Sequence, residues 1–385
     1  MKKALVVGGN SGIGLSICKN LLDKYEHIYI VGKTSICAEA LPDNLRREFE
    51  DKTSFFALNF VNDDFTIFDN ISDIDTLIIT AGFGRVALFE DLTEAEVKNI
   101  MNVDFNAIVR IIKKYYYMIK GEKTFYTAVM GSIAGHISSP YFSVYGAAKS
   151  GLCRFIENIN IELQAAGCIN RILDVSPGSL NGTAFNGGDN NLSLVDDVAI
   201  EVINRMYARE ILYIPQYDDI YKKVLERYRL EPSKFGQESY CYKKESGRIT
   251  DKPQVVIGYL SGTFDLFHIG HLNLLKRAKE QCDYLVVGVH NSGAWKGKET
   301  FIPYEERCEI LKSIKFVDKV IESPNEDSDA WDLVHYHKLF VGSDYKGTER
   351  FRRYEEIFKD KVEIVYFPYT KGTSSTQLRK VIGGK

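Results

Sequence analysis

Short apolar runs at 4–7, 28–31, 54–58, 76–79, 124–130, 172–175 and 211–214 alternate with longer stretches patterned for helix. Strands that alternate with helices cannot pair as hairpins, and they bury both faces of a sheet under their crossovers, so a doubly wound parallel α/β sheet is predicted. The pattern restarts with a run at 255–260, a helical pattern at 270–281 and a run at 284–289. Residues 215–230 read as an amphipathic helix with Ile220, Val224, Leu225 and Tyr228 on one face. The polar stretch 231–253 holds Pro232, Gly236, Gly247 and Pro253 among several lysines, which predicts a linker. The expected organisation is two Rossmann-like domains, 1–230 and 254–385, joined by that linker, and 385 residues are enough for two cores.

Composition narrows the partners. With 45% hydrophobic and 26% charged residues and a formal charge of -3, nothing in the overall field favours nucleic acid or an anionic membrane. Phosphate binding, if present, must be local. No apolar stretch approaches the ~20 residues of a membrane span, and the run at 4–7 is too short for a signal peptide, so a cytoplasmic protein without a membrane partner is expected. Cys18, Cys37, Cys153, Cys168, Cys241, Cys282 and Cys308 show no Cys-x-x-Cys or metal-ligand spacing, which predicts buried reduced thiols and no resident metal site.

Two groups of residues carry chemistry. Gly8, Gly12 and Gly14, with Asn10, Ser11 and Ile13 between them, follow the first apolar run and open a helical pattern. A turn without side chains lets backbone approach a pyrophosphate at a helix N-terminus. Ser132, Tyr145 and Lys149 have the spacing of a hydride-transfer acid/base group. Ser16, Tyr29 and Lys33 reproduce that spacing, but on a strand Tyr29 and Lys33 would lie about 13 Å apart at ~3.3 Å per residue. In a helix Tyr145 and Lys149 are neighbours, and the ammonium can lower the phenol's pKa. Lys33 ends the second run where no carboxylate is present to grip a ribose hydroxyl, so it favours the 2'-phosphate of NADPH. Further along, His268 and His271 stand at the mouth of a helix after Gly262, Thr263, Phe264 and Asp265, where both imidazoles can face a phosphate. Zinc is the rival reading, but no third ligand accompanies them at a metal-site spacing.

On the Gly8/Gly12/Gly14 turn, Thr80-Ala81-Gly82, Ser132, Tyr145, Lys149 and Ser176-Pro177-Gly178, residues 1–230 resemble the short-chain dehydrogenase/reductase family. The resemblance implies that Asn59, Ala81, Gly82, Pro177 and Gly178 join the turn in holding a nicotinamide cofactor. It also implies a mobile lid over 181–191. Val7 and Thr80 stand where the family commonly has threonine and asparagine, and Asp104 stands where it has the helix asparagine of the proton relay. Asn102 and Asn106 flank Asp104 as candidate substitutes.

Residues 255–385 resemble glycerol-3-phosphate cytidylyltransferases through Gly262 to His271, Lys296 and Lys298, Pro303-Tyr304-Glu305-Glu306-Arg307, Gly342-Ser343-Asp344 and the segment from Thr370 to Thr376. The resemblance implies catalytic roles for His268, His271, Lys296 and Lys298. Gly262, Thr263, Phe264, Arg307, Asp344, Thr370, Ser374, Ser375 and Thr376 would contact the nucleotide. Tyr369 replaces an arginine of that family, with Lys371 or Arg379 as candidate replacements for the charge.

Together the two resemblances imply a homo-oligomeric enzyme, dimer or tetramer, acting on small molecules. One domain would reduce a ketose phosphate with NADPH, and the other would couple the alditol phosphate to CTP with Mg2+, giving a CDP-alditol for surface polymers. Three alternatives accompany this expectation: a first domain that only binds dinucleotide as regulator or scaffold, reduction of an already CDP-linked ketose, and an adenylyl-specific transferase.

Overall fold

Ala4, Leu5, Val6 and Val7 are all inaccessible to solvent, and they send alternate side chains into two separate cores. Ala4 and Val6 join Leu15, Ile17, Val202 and Ile203 on one face, while Leu5 and Val7 join Ile108, Ile111, Leu152 and Ile156 on the other. A strand buried on both faces is what a central position in a parallel sheet demands. In this computed structural model the described residues are 2–61, 65–183, 185, 190–246, 255–292, 300–368 and 378. The chain divides into two compact units, Met1–Lys252 and Pro253–Lys385.

The first unit contains strands β1 (Lys3–Val7), β2 (His27–Gly32), β3 (Thr53–Ala57), β4 (Thr76–Ile79), β5 (Tyr126–Met130), β6 (Ile172–Val175) and β7 (Leu212–Tyr213). They form one sheet in the order β3-β2-β1-β4-β5-β6-β7, and every neighbouring pair is parallel. Its helices are α1 (Gly12–Leu21), α2 (Asp43–Lys52), α3 (Glu94–Met101), α4 (Ala107–Ile119), α5 (Ser143–Ala165), α6 (Asp196–Tyr207), α7 (Lys222–Leu230) and α8 (Pro232–Glu245). The strand order reverses between β1 and β4, so their carboxyl ends open a crevice at the switch point.

The second unit repeats the logic at smaller scale. Strands β8 (Ile257–Gly262), β9 (Tyr284–Val289), β10 (Lys319–Glu322), β11 (Lys338–Gly342) and β12 (Glu363–Phe367) lie in the order β10-β9-β8-β11-β12, all parallel. Helices α9 (Ile269–Lys279), α10 (Tyr304–Lys312), α11 (Asp327–Val334) and α12 (Glu349–Ile357) complete it. Leu260, Leu275, Leu285, Val287 and Leu311 make one core. On the other face Tyr259 and Tyr336 stack at 4.9 Å, and the Tyr336 hydroxyl donates to the Asp327 carbonyl at 2.7 Å. The switch point here lies between β8 and β11.

The structure corrects four expectations. The stretch read as a linker is helical over Pro232–Glu245, because Pro232 pre-sets the first turn and the apolar atoms of this stretch find a surface to cover. Tyr240 stacks on Tyr141 at 5.0 Å, and Lys243 donates to Ser139 Oγ and the Pro140 carbonyl, so α8 belongs to the first unit. The helix expected over 215–230 begins with a wide π turn at Tyr217–Tyr221, and of its apolar face only Leu225 is buried. The run at 211–214 yields just the two-residue edge strand β7, with Ile211 and Leu212 exposed. All seven cysteines are free, yet Cys241 is exposed and Cys37 and Cys168 are half-buried. Among the described residues no helix is long and apolar enough to cross a membrane.

Two candidate active sites

The first site is built at the carboxyl ends of β1, β4, β5 and β6. The chain leaves β1 through Gly8 at φ +89°, a left-handed conformation that side chains resist, and a Cβ on Gly14 would collide with the Gly8 carbonyl oxygen. The turn therefore packs tightly enough to present the first amides of α1. The Gly12 amide donates to Asn190 Oδ1 at 3.1 Å. Asn10, expected beside the cofactor, has a buried side chain that donates to Thr34 Oγ1 at 3.0 Å and fills the space a Cβ on Gly32 would need. It braces the end of β2. Lys33, next to Thr34, is exposed there. Asn59 lies beyond β3, where its Oδ1 accepts from the Val61 amide. Ala81 donates its amide to the Val7 carbonyl at 3.1 Å, and Pro177 accepts from the Ile133 amide at 2.9 Å. Gly178 has the Tyr221 hydroxyl where a Cβ would sit. Of the expected lid, Ala184 and 186–189 lie outside the described residues.

Ser132, Tyr145 and Lys149 meet at the floor of this crevice. Ser132 caps a short 3-10 turn after β5, its Oγ accepting from the Ala134 amide at 3.1 Å. Tyr145 and Lys149 lie one turn apart on α5, with the ammonium 5.7 Å from the phenol ring centroid. Lys149 donates to the Met130 carbonyl at 3.0 Å, which ties the helix to the end of β5. The Asp104 carboxylate approaches the same ammonium at 3.1 Å, and both side chains are buried. Burial pushes the Asp104 carboxyl up to about 6, against the pull of Lys149 and of the Phe83 amide. Burial raises the Tyr145 phenol; Lys149 pulls it down, Asp104 pushes it up. Asn102 and Asn106 do not substitute for the missing asparagine: Asn106 Nδ2 donates to Asn102 Oδ1 at 3.1 Å on the exposed side of the turn.

The second site grows from the end of β8. Phe264 and Leu266 adopt left-handed φ values of +53° and +50°, conformations that cost such residues energy and mark a loop shaped by its surroundings. Two contacts enforce that shape. The buried Asp265 carboxylate accepts from the Phe301 and Ile302 amides, and Phe264 packs into the core. The loop delivers His268 to the N-cap of α9, where Nδ1 accepts from the Gly270 amide at 3.0 Å and the proton is left on Nε2. His271 stacks against His268 with ring centroids 4.1 Å apart, between Phe264 and Phe267. Burial, with His268 beside it, lowers His271 to about 4, so the imidazole is neutral at neutral pH. Asp344 follows β11 across the switch point and is exposed, its carboxylate folded over Gly342.

Arg307, expected at the nucleotide, is turned into the protein. It is 1% exposed, and its guanidinium donates to the carbonyls of Thr263, His290, Asn291 and Ile302. It ties the histidine loop to the end of β9. Lys296, Lys298, Thr370, Ser374, Ser375 and Thr376, with Tyr369, Lys371 and Arg379, lie outside the described residues. The sequence reading missed Asp265 as a loop anchor and Tyr221 as the neighbour of Gly178. An aspartate between two aromatic residues before the histidines was the available signal for the first; the second had none, because Tyr221 arrives from a distant turn.

Two parallel-sheet domains, each with a polar group at its switch point, define an enzyme with two nucleotide-type folds. Residues 2–191 match the family model described as short chain dehydrogenase, and 259–381 match the one described as Cytidylyltransferase-like. The glycerol-3-phosphate cytidylyltransferase of Bacillus subtilis (strain 168) is 40% identical over 127 residues, which is 32% of this chain and 94% of that protein. The 3-oxoacyl-[acyl-carrier-protein] reductase FabG of Chlamydia trachomatis is 23% identical over 197 residues, 50% of this chain and 79% of that one. A short-chain dehydrogenase from Streptomyces avermitilis superposes with TM-score 0.50 at 19% identity, covering 63% of this chain and 99% of its own. One from Sphingobium yanoikuyae, solved in complex with NADPH, gives TM-score 0.50 at 20% identity over 60% and 94%. The chain belongs to the cytidylyltransferase-like family through its second unit and carries a short chain dehydrogenase domain in its first. It is an oxidoreductase fused to a nucleotidyltransferase.

Proposed function

We propose that this chain makes a CDP-alditol in two steps: NADPH-dependent reduction of a ketose phosphate in the first unit, then cytidylyl transfer to the alditol phosphate in the second. The observation that carries this reading is the conjunction of a buried Ser132/Tyr145/Lys149 group with a unit 40% identical to a glycerol-3-phosphate cytidylyltransferase. A polyol phosphate is what a carbonyl reduction can produce and what such a transferase can consume. Ribulose 5-phosphate to ribitol 5-phosphate and dihydroxyacetone phosphate to glycerol phosphate are the two substrate pairs proposed.

In the first unit, the Gly8/Gly12/Gly14 turn has the side-chain-free cradle that a pyrophosphate requires, and Lys33 stands at the end of β2 for a 2'-phosphate. The bound nicotinamide supplies hydride. Ser132 hydrogen-bonds the substrate carbonyl oxygen, and Tyr145 gives that oxygen its proton. Lys149, one turn away on α5, and Asp104, 3.1 Å from that ammonium, set the phenol's acidity.

In the second unit the attacking phosphate is already ionised, so no general base is needed. Its oxygen bonds to the α-phosphorus of CTP and pyrophosphate leaves. His268 donates through Nε2 and neutral His271 supports the same phosphoryl group as a dipole, while Lys296, Lys298 and the 370–376 segment are assigned the phosphates. Mg2+ would be held mainly by the triphosphate, whose charge it would neutralise. The product's chemistry suits export of alditol units to surface polymers from a cytoplasmic enzyme. A homo-oligomer is part of the same reading, with exposed Ile211 and Leu212 as apolar surface available to a second copy.

The test is mass spectrometry of products from full-length protein with CTP, NADPH and each ketose phosphate, for wild type and Tyr145→Phe. A CDP-alditol from wild type, absent in the variant but restored by added alditol phosphate, supports the reading. Equal products from both would leave the first unit as a scaffold, and reduction that requires CTP would reverse the order.

A further inference from the structure

We propose that Asp104 is a positioning residue that neutralises Lys149 and thereby keeps Tyr145 protonated, as the proton donor, across the neutral and alkaline range. This rests on the reductase reading of the first unit and concerns the same site. A lone ammonium within about 4–6 Å stabilises a phenolate and lowers a phenol's pKa by roughly 1–3 units. Here the ammonium is not alone. Asp104 Oδ1 lies 3.1 Å from Lys149 Nζ, and the two side chains are 0% and 2% exposed, so solvent does not screen the pair and their fields largely cancel at Tyr145.

Three local features place the carboxylate there. Asp104 sits in the wide π turn Asn102–Asn106 between α3 and α4, which turns its side chain into the site. The Phe83 amide donates to Oδ2 at 3.2 Å. A Cβ on Gly82 would lie 2.6 Å from Oδ1 and 3.3 Å from Lys149 Nζ, so glycine at that position is what lets the two charges meet. The other groups facing Tyr145 do not restore a net positive charge. Ser132 hydrogen-bonds it, Cys153 on α5 is held neutral by burial, and Arg85 beside Gly84 is paired with Glu96. Behind Cys153, Asp174 accepts from Ser176 and lies 4.0 Å from His136. The reductive step uses this arrangement directly: the carbonyl carbon gains hydride, its oxygen takes the Tyr145 proton, and the resulting phenolate, poorly stabilised, regains a proton from solvent.

Full-length protein carrying 13Cζ-labelled tyrosine, with the Tyr145 resonance assigned through Tyr145→Phe, reads the phenol without substrate. In wild type this resonance is expected to stay phenolic beyond the ordinary tyrosine range near pH ~10. In Asp104→Asn, which keeps an acceptor for the Phe83 amide, and in Asp104→Leu, which keeps volume, it should titrate at least about one pH unit lower, about tenfold more phenolate at a given pH. The alkaline limb of ketose phosphate reduction should move by the same amount. Titration at the same pH in all three proteins overturns the proposal, and a shift in the leucine variant alone also overturns it by assigning the effect to packing. If wild type reduces neither ribulose 5-phosphate nor dihydroxyacetone phosphate, the substrate reading fails while the titration still decides the role of Asp104.

Discussion

The two sites solve different electrostatic problems with different means. In the first unit, a phenol, an ammonium and a carboxylate are buried together; Lys149 acts on the protonation of both acids, and Asp104 acts on that of Tyr145 and Lys149. In the second, two stacked imidazoles stand at a helix N-terminus, and His271 is held neutral by burial. Carbonyl reduction requires a proton to move, so acid strength must be tuned. Phosphoryl transfer moves none in its key step, so fixed donors and the helix amides suffice. One chain thus contains a site that depends on titration and another that depends on geometry.

The contrast can be broken from either side. Tyr145→Phe is expected to slow reduction by about 10^2–10^4-fold while cytidylyl transfer from added alditol phosphate is unchanged; parallel loss of both would refute independent sites. His268→Ala should slow cytidylyl transfer by about 10^2–10^3-fold without affecting NADPH oxidation, read by pyrophosphate release. Arg307→Met removes a guanidinium that serves four carbonyls and should destabilise the second unit by about 2–4 kcal/mol, visible as an earlier urea transition of that unit only.

A pH series sharpens the comparison further. Because the folded value of His271 is lowered to about 4, the imidazole is neutral above it and should impose no limb on cytidylyl transfer between pH 6 and 8. The unfolded histidine binds a proton near 6.5 and the folded one resists it, so the contribution to stability is present above 6.5 and is lost as pH falls toward 4. Urea midpoints of wild type and His271→Gln, compared at pH 7 and 5, should converge at the lower pH. The smallest effect is expected at exposed Lys33, where Lys33→Ala should weaken NADPH binding by about 1 kcal/mol or less and leave NADH unchanged.

Much of both sites was legible because their residues sit at strand ends next to glycine turns, where local chemistry and topology coincide. Gly8, Gly14, Tyr145 and Lys149 are related by turns and helix periodicity, which sequence spacing encodes. The roles of Asn10 and Arg307 were not legible. Each is a polar side chain in a motif whose partners, Thr34 for one and four carbonyls from three segments for the other, are brought near only by the fold. Helix α8 was missed for a related reason. Its polar composition resembles a linker, and what it packs on, Tyr141 and the 139–142 loop, is remote in the chain.

The alternation of strands and helices, the glycine turns and the residue types beside them followed from the sequence, because apolar periodicity and glycine placement are local properties; which strands neighbour each other, and so where the crevices open, came from the fold. The charge state of the reductase group did not. Asp104 reads in the chain as a single-atom change from asparagine, and only the approach of α5 to the π turn, with water excluded from both, makes it the partner of Lys149. Burial and distance between segments far apart in sequence set that energy, and these are tertiary quantities.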